Sequence, residues 1–202
     1  MENKKLREQL FNLKISNRKM GVSAEYKENM SIDKFIDSVA NALSKGAEIV
    51  QLRGDGLTDK DFLESAIKIK QLCELFEATF IIDSRVDIAY LSKADCLNLN
   101  RNDIDIRSAK EIIGEDIFIG MSIYENFDFN ISVKGGVDYI SVYPIFPTPT
   151  EPVMSTGLEY AKWVSENTPF SVLVGGNINK TNYHTLSDIK RTKYLVDIDF
   201  FN

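Results

Sequence analysis

The sequence predicts an α/β chain that closes into a small (β/α)8 TIM barrel, and three observations carry that prediction. Short β-branched runs alternate with helical patterns from one end to the other. Eight such runs can be counted, the first seven each followed by a segment of crossover size. The run 137–143 is apolar almost throughout, as a parallel strand covered on both faces must be. It passes without a polar ramp into Pro144-Ile-Phe-Pro-Thr-Pro-Thr150. A doubly wound open sheet is the alternative arrangement of the same elements.

Taken in order, residues 1–18 form a lead-in whose Leu6, Leu10 and Leu13 fall at helical spacing and predict an amphipathic helix. Residues 19–202 make a single barrel domain. Its strands are expected at 19–24, 48–53, 79–82, 95–99, 117–121, 137–143, 170–174 and 194–200. Ser31 caps a helix with Phe35, Ile36, Val39 and Leu43 on its inner face, and Gly46 closes it. Thr58 opens the next, with Phe62, Leu63, Ile67, Ile69 and Leu72 at helical spacings. Further helices are expected at 85–91, 105–113, 126–134, 157–166 and 180–187. The sequence stops just after the eighth strand, so the closing C-terminal helix is expected to be missing, with the lead-in covering part of the gap.

The chain has 202 residues, which favours one domain, and a net charge of −6. With no basic tract, neither nucleic acid nor an anionic membrane is expected as a partner. No secretory or membrane-spanning segment is visible, and a cytoplasmic location is expected. Cys73 and Cys96 read as small buried hydrophobes, not as a disulfide or a metal pair. The one histidine, His184, gives little basis for a His triad or a His metal cluster.

In a barrel the chemistry gathers at the C-terminal ends of the strands. Gln51 and Arg53 alternate with Leu52, so both point into the lumen, where they could recognise a planar polar ring or a phosphate. The alternative for Arg53 is an ordinary strand-end surface charge. Thr148 and Thr150 present hydroxyls after the sixth strand. Gly175 and Gly176 follow the seventh and let backbone N–H groups approach an anion, although Gly-Gly is also an ordinary turn. Asp83 and Asp103, on neighbouring strand ends, could share a hard cation such as Mg2+, or could cap the helices that follow.

The ordered set Gly46-Ala-Glu-Ile-Val-Gln-Leu-Arg53, Phe80-Ile-Ile-Asp-Ser-Arg-Val-Asp-Ile-Ala89, Ala94-Asp95, Gly120-Met-Ser122, Tyr143-Pro-Ile-Phe-Pro-Thr-Pro-Thr150 and Gly175-Gly176 resembles the thiamine phosphate synthase/TenI family. The resemblance implies a transferase of thiamine biosynthesis that couples an aminopyrimidine diphosphate to a thiazole phosphate and releases pyrophosphate with Mg2+. It implies that Gln51 and Arg53 hold the pyrimidine diphosphate. Asp83 falls where the family has a pyrimidine-contacting asparagine. Asp103 matches a Mg2+ ligand, and Ser122 a serine near the reacting centre. Thr148, Thr150, Gly175 and Gly176 match the thiazole phosphate site. Small phosphorylated heterocycles are therefore the implied partners, and a homodimer is allowed.

The sequence also departs from the family pattern. Asp55 and Glu151 stand in place of lysines, and Ser84 in place of the second Mg2+ ligand. Asn100-Arg-Asn-Asp103 replaces Gly-Gln-Glu-Asp, and the serine expected at the end of the last strand falls near Asp199. At ~5 Å and an effective dielectric of about 20, each reversal of charge is worth several kcal/mol before screening. Arg101 is the one candidate to compensate. If Asp55, Asp83, Asp103, Glu151 and Asp199 converge, the mouth would select a cationic or unphosphorylated ligand; each also reads as an ordinary solvated acid. A non-catalytic or TenI-like protein binding a thiazole or another small ligand is the alternative function. Tyr124 stands where TenI-type tautomerases carry a histidine.

Overall fold

The apolar runs form eight parallel strands that pair in sequence order, and β8 returns to β1 to close the barrel. The computed structural model describes residues 2–147 and 155–202. The strands are β1 Met20–Glu25, β2 Ile49–Arg53, β3 Thr79–Asp83, β4 Cys96–Leu99, β5 Phe118–Ile123, β6 Tyr139–Val142, β7 Ser171–Gly175 and β8 Thr192–Asp197. Helices α2 Ile32–Ser44, α3 Asp59–Leu75, α4 Val86–Leu91, α5 Ile106–Ile113, α6 Asn126–Gly135 and α7 Gly157–Asn167 lie in the crossovers, and α1 Glu2–Phe11 precedes the barrel. The α2, α3 and α5 N-termini are capped as their sequences predict. Ser31 Oγ accepts from Lys34 N, Thr58 Oγ1 from Asp61 N, and Asp105 Oδ1 from Ser108 N.

Alternate residues of each strand divide the apolar mass in two. Val50, Leu52, Phe80, Ile82, Leu97, Ile119, Ile140 and Val174 face the helices in one large cluster. Ile49, Ile81, Cys96, Phe118, Tyr139, Leu173 and Leu195, one from each of β2 to β8, fill the lower lumen. Gly120 makes room for Tyr139 there, since a Cβ at that position would lie 2.1 Å from the ring. Both cysteines are buried and free.

The lead-in is helical, but it turns a different face inward from the one its leucines suggest. Leu6, Leu10 and Leu13 are 55%, 45% and 60% exposed. Ile15 is fully buried with the lumen cluster, and Phe11 meets the Phe118 ring edge-on at 5.2 Å. The inward stripe is Arg7, Phe11 and Ile15, at four-residue spacing, so the helical phase is kept and a face other than the leucine one is buried. A π-helical turn over Asn12–Ser16 ends the segment, with Asn17 N donating to Asn12 O. Arg7 to Asp138 and Lys14 to Asp95 fasten the segment to the strand N-termini. The lead-in therefore plugs the floor of the barrel. It does not cover a gap left by a final helix.

Most strand boundaries shift by one or two residues, and those of β1 and β8 matter for the site. β1 runs one residue further, to Glu25, and β8 ends at Asp197 rather than at residue 200. Ile198–Phe201 is a 3-10 turn that packs on α2, with Phe201 buried and its carbonyl taking N–H groups from Asn41 and Lys45. The 180–187 segment is likewise 3-10, over Tyr183–Asp188. No helix among the described residues is long and apolar enough to cross a membrane.

The plug makes a prediction. Ile15→Ala should cost about 2–5 kcal/mol in denaturant unfolding. Leu13→Ala, on the exposed side of the same segment, should change stability by less than about 0.5 kcal/mol. Equal effects would mean that Ile15 does not seal the floor.

Candidate active site

Above the apolar floor the same inward face turns polar. Two residues on from the floor stand Ser23 on β1, Gln51 on β2, Asp83 on β3, Asn98 on β4, Ser141 on β6 and Asp197 on β8. Ser23, Gln51, Asp83, Asn98, Ser122 and Ser141 are all buried. A parallel barrel places these strand ends together, so residues far apart in sequence form one cup.

Asp83 organises one wall of that cup. Its Oδ1 accepts from Gln51 Nε2 at 3.0 Å and from Asn98 Nδ2 at 2.7 Å, and its Oδ2 accepts from Asn100 Nδ2 at 3.2 Å. Asn98 Nδ2 also donates to Ser122 Oγ at 2.9 Å, and Asn100 Nδ2 to Ser84 Oγ at 2.7 Å. Burial raises the Asp83 pKa, against the pull of Arg53 and the amide donors. Asp83 caps nothing: α4 has no side-chain cap. The capping alternative does hold one step further on, where Asp105 caps α5 and Asp103 Oδ2 accepts from Asn100 N at 2.7 Å.

Arg53 stands at the rim among acids. Its Nε lies 3.2 Å from Asp55, 3.5 Å from Glu25 and 4.0 Å from Asp83, and its guanidinium lies 5.1 Å from the Tyr143 ring centroid. Burial opposes the charge, and Tyr143 with the three carboxylates outweighs it, so the pKa moves upward. Its Nη atoms make no hydrogen bond among the described residues. The Tyr143 hydroxyl donates to Glu25 at 3.2 Å. Across the cup, Asp197 is pushed up to about 6, first by burial and then by Glu25 and Asp199.

The remaining sequence candidates separate. Asp55 does turn toward Arg53, whereas Asp199 is exposed and paired with Lys27 at 2.9 Å. Arg101 is no free cation: it holds Asp128 through two hydrogen bonds and Glu125 through one. Gly175 O and Gly176 O accept from Ile145 N and Phe146 N, which laces the loop after β6 to the end of β7. Gly176 has φ +98, and a Cβ there would come within 2.5 Å of Pro144. Thr148, Thr150 and Glu151 lie outside the described residues. Glu25, Tyr143, Ser23 and Ser141 escaped the sequence reading. The period-2 pattern Gly21, Ser23, Glu25 was the available signal, and it was lost by ending the first strand at residue 24.

With this geometry in place, the comparisons with known proteins are specific. A family model described as thiamine monophosphate synthase (TMP-TENI) matches residues 22–192. The chain belongs to this family. Thiamine-phosphate synthase of Prochlorococcus marinus subsp. pastoris is 36% identical over 160 residues, 77% of this chain and 45% of that protein. Its counterpart in Leptospira biflexa serovar Patoc is 35% identical over 155 residues, 74% of each chain. The thiamine phosphate pyrophosphorylase structure from Pyrococcus furiosus superposes with a TM-score of 0.77 at 27% identity, covering 90% of this chain and 86% of that one. The chain spans about half the length of the first cyanobacterial relatives it matches. The barrel of the thiamine monophosphate synthase family thus carries here a cup lined by Gln51, Arg53, Asp83 and Ser122.

The raised Asp197 pKa has a sign that can be checked. The unfolded carboxyl ionises near 3.9 and the folded one near 6, so its burial costs stability progressively as pH rises between those values and fully above them. Asp197→Asn should therefore raise the Tm at neutral pH and leave it unchanged below about pH 4. A Tm difference that is the same across this range would remove the assignment.

Proposed function

We infer that this chain is a thiamine phosphate synthase-type transferase of thiamine biosynthesis. It would join an aminopyrimidine diphosphate to a thiazole phosphate. The thiazole nitrogen would form the new C–N bond as the methylene C–O bond breaks and its electron pair leaves with pyrophosphate. The observation that supports this best is one buried network, in which Asp83 accepts from Gln51 and Asn98 and Asn98 also donates to Ser122, joining residues that the family resemblance matches to substrate positions.

The residues present suit that chemistry in part. Arg53 keeps its Nη edge for the departing diphosphate while its Nε faces carboxylates. Asp103 Oδ1 makes no hydrogen bond among the described residues, whereas both Asp83 oxygens are already committed to amides. Such a donor set fits a Mg2+ held by one carboxylate together with substrate oxygens and water. When bound, that ion would neutralise charge building on the leaving group. The buried Asp83 carboxylate would favour positive charge growing on the pyrimidine. Gly175, Gly176 and the threonines Thr148 and Thr150 remain the proposed thiazole phosphate contacts.

One observation favours a second reading. Three carboxylates around Arg53 Nε reduce the positive potential the cup offers an anion. A binding protein for a thiazole or another small ligand would tolerate this better than a synthase.

Purified protein supplied with both phosphorylated precursors and Mg2+ should form thiamine phosphate. Arg53→Gln should lower kcat/KM by about 100- to 1,000-fold. Absence of product at high enzyme concentration, with both precursors binding, would reject the transferase in favour of the binding protein.

A further inference from the structure

Side chains from opposite sides of the barrel meet above the cup. By the period of two, Glu25, Arg53 and Tyr143 form the inward layer next above Ser23, Gln51 and Ser141. In the closed ring of strands β6 stands opposite β2, so Arg53 and Tyr143 face each other across the mouth. The guanidinium lies 5.1 Å from the Tyr143 ring centroid. The Tyr143 hydroxyl donates to Glu25 Oε1 at 3.2 Å, and the same oxygen lies 3.5 Å from Arg53 Nε. Burial pushes the Tyr143 pKa up, so the hydroxyl keeps its proton and remains a donor. One carboxylate on β1 thus ties the ring from β6 over the arginine from β2. The layer beneath is nearly closed to solvent: Ser23, Gln51 and Ser141 are 6%, 4% and 1% exposed.

The tie is placed to open. The Glu25 side chain is 48% exposed, so water can replace the tyrosine at its carboxylate. The backbone beside the ring is held, since Ile145 N donates to Gly175 O at 2.8 Å. Gly175 also lets the ring pass closely: a Cβ there would lie 3.3 Å from Tyr143 Cδ2. Movement therefore falls to the Tyr143 side chain and not to the strand. We propose that Tyr143 is a gate and a positioning residue: held by Glu25, it covers Arg53 and the polar layer below, and a ligand enters the cup only when that hydrogen bond opens. While the gate is shut, the aromatic face also fixes the plane of the guanidinium. The proposal rests on the transferase reading only for the identity of the ligand, a diphosphate that Arg53 would receive.

The test is the rate at which phenylglyoxal, an arginine-specific reagent, modifies Arg53, followed by peptide mass spectrometry with the exposed Arg107 as internal reference. Tyr143→Phe keeps the ring and removes the tie. It should speed modification of Arg53 by about threefold to tenfold and leave Arg107 unchanged. In a Glu25→Ala background the same substitution should change the rate by less than about 1.5-fold, because the tie is already gone. Pyrophosphate with Mg2+ should protect Arg53 at lower concentration in Tyr143→Phe than in the wild-type protein, since the shut state no longer competes with the ligand. An unchanged rate in Tyr143→Phe, or an acceleration of the same size with and without Glu25, would overturn the gate. The predicted rates with no protection by pyrophosphate in any variant would uphold the gate and overturn the transferase reading instead.

Discussion

The buried Asp83 carboxylate sets the polarity of the upper barrel. It gathers N–H groups from Gln51, Asn98 and Asn100, and Arg53 stands 4.0 Å away. A charge taken out of water is costly unless hydrogen bonds and an opposite charge replace its hydration. Each of those partners comes from the C-terminal end of β2 or β4, the strands that pair with β3 on its two sides. The network therefore depends on the fold, and the orientation of every amide in it depends on Asp83. Ser122 is tied in through Asn98, so the arrangement reaches from β2 to β5.

Below this polar layer the lumen is a sealed apolar plug, and the two halves support different properties. Ile15, Phe118, Tyr139 and Leu173 supply contact area and hold the strands in register. The cup contributes little apolar burial and carries the groups able to do chemistry. Its charge balance is unusual for a site proposed to hold diphosphate. Glu25, Asp55 and Asp83 lie around Arg53, Asp197 stands on the inward face of β8, and Arg101 is occupied by Asp128 and Glu125.

The barrel was legible because parallel strands covered on both faces leave runs such as 137–143 that few other structures need. The lumen position of Gln51 and Arg53 followed from period 2 alone. Other features depended on contacts that no local pattern records. The lead-in is a helix with two partly apolar stripes, and the one that docks is Phe11 and Ile15, which meet the lumen cluster, while Leu6, Leu10 and Leu13 face outward. Ile198-Asp-Phe-Phe201 alternates like a strand, yet it folds as a 3-10 turn because Phe201 finds its burial against α2. Asp83 offered two local explanations, metal ligand and cap. Its actual role needs donors 15 and 32 residues away in sequence.

The central claim is that one arginine, steadied by carboxylates, still gives this acidic cup an anion site. Titration calorimetry of inorganic pyrophosphate into the wild-type protein and Arg53→Gln, with Mg2+ present, tests it most directly. The account predicts saturable binding to the wild-type protein that weakens as salt rises and is lost in the variant. Binding that is absent from the wild-type protein, or equal in the two, would contradict it.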